Sequence, residues 1–326
     1  MKVLVVGKHG SIVHWMEDMA DGFADAGHET RVFSVIGSSW PDYLHLKLYR
    51  TLNRGAVGGV LAGKLVAAVR RFQPDVMFCV GGYWLEPDML AAVRALPQRP
   101  VMIGWVGDRF EARHRAVDAL YDRVYHTDTA FFDLARELGF TAPTGYLPLA
   151  VNPRLFPRKV LPRNDRMVFV ANRTRHRETI VRAIQRPVAL YGRSWKPMSG
   201  TPHEIHPERI PPQALVGLYA SHRAVLNIRN EINVLNGLNQ RSFEPYLCGT
   251  PVLNDDMADV PRCFEPGKEI LVYRNADELN ALYERLVQDS AFAQAVGEAG
   301  YRRVMAEHTY VQRVGTVMND LVKEVQ

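Results

Sequence analysis

Three places in this 326-residue chain bring together side chains that could act on a polar ligand. Residues 240–256 read QRSFEPYLCGTPVLNDD, with Arg241 and Glu244 three positions apart. On a helix that spacing puts both on one face. A guanidinium donates in a fork to phosphate, and a carboxylate accepts from hydroxyls. The same pair could simply be a surface ion pair capping a first turn. Residues 172–177, Asn-Arg-Thr-Arg-His-Arg, follow an apolar run and open a helical pattern. Arginines in a first turn oppose the helix dipole, a local conflict that a bound anion would resolve. Arg173 and Arg177 are therefore candidate phosphate ligands, the lesser alternative being that Arg173 and Arg175 point into water. Asp108 ends the apolar run 101–106, either as a catalytic carboxylate or as the cap of a helix starting at Arg109.

The elements that would position these residues alternate regularly. Residues 2–7 form a short apolar strand, followed by Gly-Lys-His-Gly-Ser and a helix with an apolar stripe through Met16, Met19 and Phe23. Ser11 can cap that helix, and Gly7 and Gly10 either let a phosphate or sugar approach the backbone or only make the turn. Strands are expected near 31–36, 76–80, 101–106 and 123–126, with helices between them. His126 is expected to be a structural hydrogen bonder at its strand end. Residues 37–60 mix Tyr and Leu with Lys and Arg, as a partly buried helix would, or else an acceptor-side or membrane-surface element. Residues 148–164 are proline-rich and read as a linker. A second alternation then begins, with strands near 167–171, 188–191, 224–228 and 251–253. Tyr191 and Gly192 end one of these strands and could support a base. Phe243 and Leu247 read as the buried face of a helix that Gly249 stops. Helices from 276, 290 and 310 close the chain. Two doubly wound α/β domains follow, with ligands expected beyond the strand carboxyl ends.

Composition narrows the classes further. Apolar residues make up 47% and charged residues 23%, ordinary for a globular chain. No run approaches the ~20 apolar residues that span a bilayer. The early turn has neither G-x-G-x-x-G nor a P-loop pattern, so neither a dinucleotide fingerprint nor a Walker motif is supported. Cys79, Cys248 and Cys263 are far apart and read as reduced thiols in a cytoplasmic protein. His203 and His206 lack further ligands at compatible spacing, so zinc is rejected. A net charge of +5 permits attraction to nucleotides or to an anionic membrane surface.

The run FEPYLCGTPVL resembles the donor-site helix and strand of retaining GT-B glycosyltransferases. LNIRNEINVLNGLNQRSFEPYLCGTPVLNDD, with FEPGKEILVY and AEHTYVQR after it, is similar to the CgeB-like glycosyltransferases. The resemblance is strong over the last third, moderate over the middle, and one of kind only over the first hundred residues. It implies two Rossmann-like domains facing each other across a cleft: 1–150 on the acceptor side, 151–309 on the donor side, and 310–326 crossing back to the first. It implies transfer of a sugar from a nucleoside diphosphate sugar to a hydroxyl acceptor, with retention, without metal or other cofactor. Glu244 matches the ribose-holding glutamate, and Asn239 and Arg241 match the asparagine-x-arginine of the CgeB-like set. Asn236 stands where the wider retaining pattern has a second glutamate, which puts the donor-sugar contacts and the stereochemistry in question. An epimerase of the same fold, and a binding protein without catalysis, are the alternatives.

Overall fold

The computed structural model describes residues 1–8, 14–35, 54–155, 157–158, 161–208 and 210–325. Gly10, the Ser11 cap and most of segment 37–60 lie outside the described residues. The chain divides into two compact units, Met1–Pro148 with Tyr310–Gln326, and Leu149–Thr309.

The first unit is built on a six-stranded sheet, β2-β1-β3-β4-β5-β6. Its strands are β1 (Lys2–Gly7), β2 (Glu29–Ser34), β3 (Val76–Val80), β4 (Val101–Val106), β5 (Arg123–His126) and β6 (Thr144–Tyr146), and every pairing is parallel. Strands covered on both faces need continuous apolar sequence. Val-Met-Phe-Cys-Val of β3 is buried at every position. The helix Tyr310–Val325 belongs to this unit. It lies so close to the helix Trp15–Asp25 that a Cβ on Gly22 would sit 2.8 Å from the Cβ of Tyr310. Arg313 Nε donates to the Pro148 carbonyl at 2.7 Å and Tyr125 Oη to Asp320 at 2.9 Å.

The second unit carries another parallel sheet, in the order β12-β11-β10-β7-β8-β9. Its strands are β7 (Asn164–Val170), β8 (Val188–Tyr191), β9 (Glu204–His206), β10 (His222–Asn227), β11 (Val252–Asp255) and β12 (Leu271–Tyr273). The order reverses between β7 and β10, and the crevice at a doubly wound sheet's reversal is where ligands enter. β9 was not expected from sequence. It is a three-residue edge strand among prolines, paired on one side to β8. The expected helix over 240–248 is two 3-10 turns, Gln240–Ser242 and Glu244–Cys248. Pro245 carries no N–H for a continuous helix, and Phe243 between the turns departs from helical geometry at φ −117°. Gly249 ends the second turn at φ 64°, the left-handed stop its sequence position suggests.

The helix Ser290–Glu307 braces this segment through two glycines. A Cβ on Gly297 would lie 2.1 Å from the Gly249 carbonyl oxygen, and one on Gly300 2.2 Å from the Tyr246 ring. Only hydrogen at those positions lets the helix approach the turn that bears Glu244.

His126 departs from its expected role. It is fully buried, stacked on Phe110 with ring centroids 5.4 Å apart and edged by Phe131 and Phe132. Neither ring nitrogen has a hydrogen-bond partner. Burial pushes its pKa down to about 4. In the unfolded chain the ring takes up a proton near pH 6.5, whereas the folded ring does so only near 4. Stability contributed by this site is therefore full above about pH 6.5 and falls as pH drops towards 4. His126→Phe removes both the unpaired nitrogens and the pH term. The expected result is a gain in melting temperature that is larger at pH 5 than at pH 8. Equal gains at the two values would remove His126 as the titrating group.

Candidate functional site

The carboxyl ends of β7 and β10 are tied together by two arginines. Arg177 lies on the helix Arg175–Arg182, whose N-cap Thr174 accepts the Arg177 amide through Oγ1 at 3.2 Å. Its side chain is buried. Nη1 donates to the Asn172 carbonyl at 2.9 Å, just past β7, and Nη2 and Nε donate to the Ile228 carbonyl at 3.2 and 3.3 Å, just past β10. Arg241 crosses the same boundary, with Nη1 to the Val170 carbonyl at 3.3 Å and Nε to Asn227 Oδ1 at 3.1 Å. Both guanidiniums stand over the Phe169 ring at 5.7 Å.

Asn227 is the hub beneath them. Its Oδ1 also accepts from Asn239 Nδ2 at 3.0 Å, and its Nδ2 donates to Ser242 Oγ at 2.9 Å and to Asn254 Oδ1 at 2.6 Å. Asn239 in turn accepts the Arg241 amide at 3.0 Å, capping the first 3-10 turn. Asn227 and Asn254 face each other because β10 and β11 pair in that register. Two asparagines at matching positions near the ends of adjacent strands are the signal that would have exposed this network in the sequence. Fully satisfied buried networks of this kind hold one geometry.

Electrostatically both arginines are desolvated, and the carboxylates that act on them, Glu231 and Asp255 on Arg177 and Glu244 and Asp255 on Arg241, do so without a direct ion pair. Burial pushes the Arg177 pKa down to about 9, and the Arg241 charge adds to the depression. Burial lowers Arg241 as well, with Tyr219 and Glu244 acting in the opposite direction. Among the described residues neither guanidinium forms an ion pair; their donors go to carbonyl and amide oxygens. A guanidinium has five N–H donors. Among the described residues the Nη2 group of Arg241 has no hydrogen-bond partner. Asp255, at the end of β11, is buried; one oxygen accepts the Arg229 amide at 3.2 Å and the other has no hydrogen-bond partner. Burial raises its pKa.

The remaining sequence-predicted residues are distributed around this centre. Glu244 opens the second 3-10 turn, half-buried, close enough to Arg241 and Tyr219 to act on their charges. Tyr191 ends β8 and stacks on His206 at the matching position of β9, centroids 4.3 Å apart and planes within 8°. Gly192 runs at φ 137°, and a Cβ there would sit 2.3 Å from the Ala171 carbonyl oxygen. It permits the close approach of the strand end to the loop 171–173. Arg173 lies before the cap and is ion-paired to Glu178, which also holds Arg182 at 2.8 Å. Its charge is thus locally offset. Asp108 is in the first unit, two residues past β4, and the short 3-10 turn after it starts at Ala112 with Glu111 as its capping residue. The expected helix from Arg109 does not form.

Comparison with known proteins adds the family context. Residues 173–319 match a family model described as glycosyl transferase-like. None of the curated proteins matches. Among solved structures, sucrose-phosphate synthase from Thermosynechococcus elongatus aligns at TM-score 0.69 with 16% identity, over 99% of this chain and 100% of that one. Anabaena HepE in complex with UDP-glucose aligns at TM-score 0.69 with 13% identity, over 99% and 100%. The lipopolysaccharide outer core galactosyltransferase WaaB aligns at 0.64 with 12% identity, over 98% and 99%.

The fold is GT-B.

In this GT-B chain the glycosyl transferase-like match begins at Arg173, one residue after the Arg177 carbonyl partner Asn172, and takes in Arg241, Glu244 and Asp255. Among the described residues no helix is long and apolar enough to cross a membrane.

Proposed function

We propose that this protein is a glycosyltransferase that moves a sugar from a nucleoside diphosphate sugar to a hydroxyl acceptor. One observation carries the reading: two desolvated guanidiniums at the sheet's reversal point, held by carbonyls and not by carboxylates. Such a pair is poorly compensated until an anion arrives. A diphosphate supplies it, and charge developing on the leaving phosphate would be stabilised by groups already in place. Arg241 is assigned to the phosphates through its uncommitted Nη2, with Arg177 fixing the carbonyl frame beside it. Glu244 is assigned to the ribose hydroxyls and Tyr191, with His206 behind it, to the base. Asp108 is assigned to the acceptor, taking the hydrogen bond of the attacking hydroxyl. The Anabaena HepE structures with UDP and with UDP-glucose support a nucleotide-sugar donor for this fold.

Metal independence, retention and relation to the CgeB-like set belong to the same proposal. Among the described residues no three His, Cys, Asp or Glu side chains converge as a metal-ion site. The three buried free cysteines support a reducing, cytoplasmic setting, and the net charge of +5 supports transient contact with an anionic inner membrane face.

Incubation with a panel of nucleotide sugars, with and without cell extract, tests this by release of free nucleotide. Turnover of a nucleoside diphosphate sugar, enhanced by acceptor in the extract and unchanged by EDTA, is the expected result. Loss of turnover in EDTA with recovery on adding manganese would overturn metal independence. Failure of every nucleoside diphosphate to bind would overturn the assignment of the crevice.

A further inference from the structure

The segment that bears Glu244 is tied to β7 at both ends of that strand. At the carboxyl end the tie is the bond from Arg241 to the Val170 carbonyl. At the amino end it is Arg163, the residue just before β7. Arg163 Nη2 donates to the Cys248 carbonyl at 3.0 Å and to the Gly249 carbonyl at 2.8 Å. Glu244 lies in the chain between the two ties.

Those carbonyls close the 3-10 turn Glu244–Cys248. The last carbonyls of a helical turn have no partner within it. Two earlier ones are served by the chain just beyond: the Gly249 N–H donates to Tyr246 at 2.8 Å and the Thr250 N–H to Pro245 at 3.1 Å. The carbonyls of Cys248 and Gly249 are served by Arg163, from 85 and 86 positions away. A second arginine of the same stretch reinforces the contact. Arg158 Nη2 donates to Glu298 Oε2 at 2.7 Å, and its guanidinium stands over the Tyr301 ring at 4.4 Å. Glu298 and Tyr301 each follow one of the two glycines, Gly297 and Gly300, that let their helix approach the turn. A Cβ on Gly249 would lie 3.7 Å from Nη2 of both arginines. The stretch read from sequence as a linker is thus packed on the end of the turn that Glu244 opens.

Arg163 is a costly choice if stability alone is at issue. Burial lowers its pKa, and the neighbouring Arg223 and Arg158 charges act in the same direction. Arg158 and Arg223 each have a carboxylate, Glu298 and Asp165, whereas Arg163 has none among the described residues. A partly buried cation without a counter-ion lowers stability, and its attested use is to fix one geometry. The geometry fixed here is that of a turn whose first residue is Glu244.

We propose that Arg163 is a positioning residue for the donor site, holding the carboxyl end of the turn Glu244–Cys248 so that the Glu244 carboxylate meets the ribose hydroxyls. The ribose contact rests on the transferase reading; the hold on the turn does not.

Arg163→Met tests this, because it keeps an apolar stem and removes the donors. In the chain without nucleotide, hydrogen exchange at the Gly249 and Thr250 amides should quicken about tenfold, the scale of one lost hydrogen bond, while the β8 amides keep their rates. In calorimetry UDP affinity should fall about fivefold, a part of what one charge-assisted hydrogen bond contributes. A dideoxyribose analogue of UDP should bind variant and wild type alike. Arg163→Lys should recover most of both effects, since both bonds leave a single Nη2 and an ammonium can make them from one point. If Arg163→Met does not fold, Arg163→Gln, which retains a neutral amide donor at shorter reach, is read by the same two measures. A folded variant with unchanged exchange at Gly249 and Thr250, or one that loses UDP and the dideoxy analogue equally, would overturn the proposal. A wild-type chain that binds no UDP would overturn the donor assignment instead, and the exchange rates alone would then decide whether Arg163 holds the turn.

Discussion

Arg177→Ala is expected to destabilise the second unit by about 1–3 kcal/mol, since it strands the buried Ile228 carbonyl and removes the partner of two more accessible ones. The carbonyls are those of Asn172, Ile228 and Arg229, bonded to Arg177 at 2.9 to 3.3 Å. They sit at the ends of two strands that nothing else in the helix Arg175–Arg182 joins in this way. Arg177→Lys should recover little, because an ammonium on a flexible stem cannot reproduce a planar fork reaching both sides. Nucleotide affinity should fall as well, by displacement of the frame that holds Arg241. Urea denaturation followed by calorimetry with UDP separates these effects. A variant with unchanged denaturation midpoint and lost affinity for UDP, but not for uridine, would make Arg177 a direct phosphate ligand instead.

Glu244→Gln is expected to weaken nucleoside diphosphate binding roughly tenfold to a hundredfold, because a charge-assisted hydrogen bond contributes ~1.5–3 kcal/mol. The fold should survive. Glu244 is half-buried and opens its turn, while Pro245, Tyr246, Leu247 and Cys248 supply the buried contacts. A dideoxyribose analogue of UDP should bind the wild-type chain poorly and be nearly indifferent to the substitution. Calorimetry over the four combinations gives the coupling. Zero coupling, with a lowered melting temperature, would return Glu244 to a structural role beside Arg241 and Tyr219.

The frame of both units was legible because their strands are covered on two faces. Val76–Val80, Val101–Val106, Arg123–His126 and Val188–Tyr191 fall on the stretches read from sequence. β6, β9 and β12 escaped because edge strands of three residues need no long apolar run. The arginines show a different limit. An arginine ahead of a helix advertises charge, and the sequence reads it as awaiting an anion. Nothing local shows that Arg177 is already engaged by carbonyls some fifty positions later. The Asn227 hub was hidden for the same reason: Asn227, Asn239, Ser242 and Asn254 become neighbours only through strand pairing and a capped turn. Gly297 and Gly300 lower the propensity of the helix Ser290–Glu307 that carries them. Their reason is the Gly249 carbonyl and the Tyr246 ring across the contact.

The division of the chain has a consequence for how it is made. The first unit includes Tyr310–Val325, yet all of Leu149–Thr309 lies between that helix and the rest of it. During synthesis from the amino end, residues up to Pro148 leave the ribosome without the helix that packs on Gly22 and Asp320, the partner of Tyr125. The second unit is delivered whole before that helix appears. The unit translated first is thus the one finished last, and until then its Gly22 groove stays open. A ribosome stalled after Thr309 should display a protease-resistant second unit joined to a protease-sensitive first one, and release of the helix should close the difference.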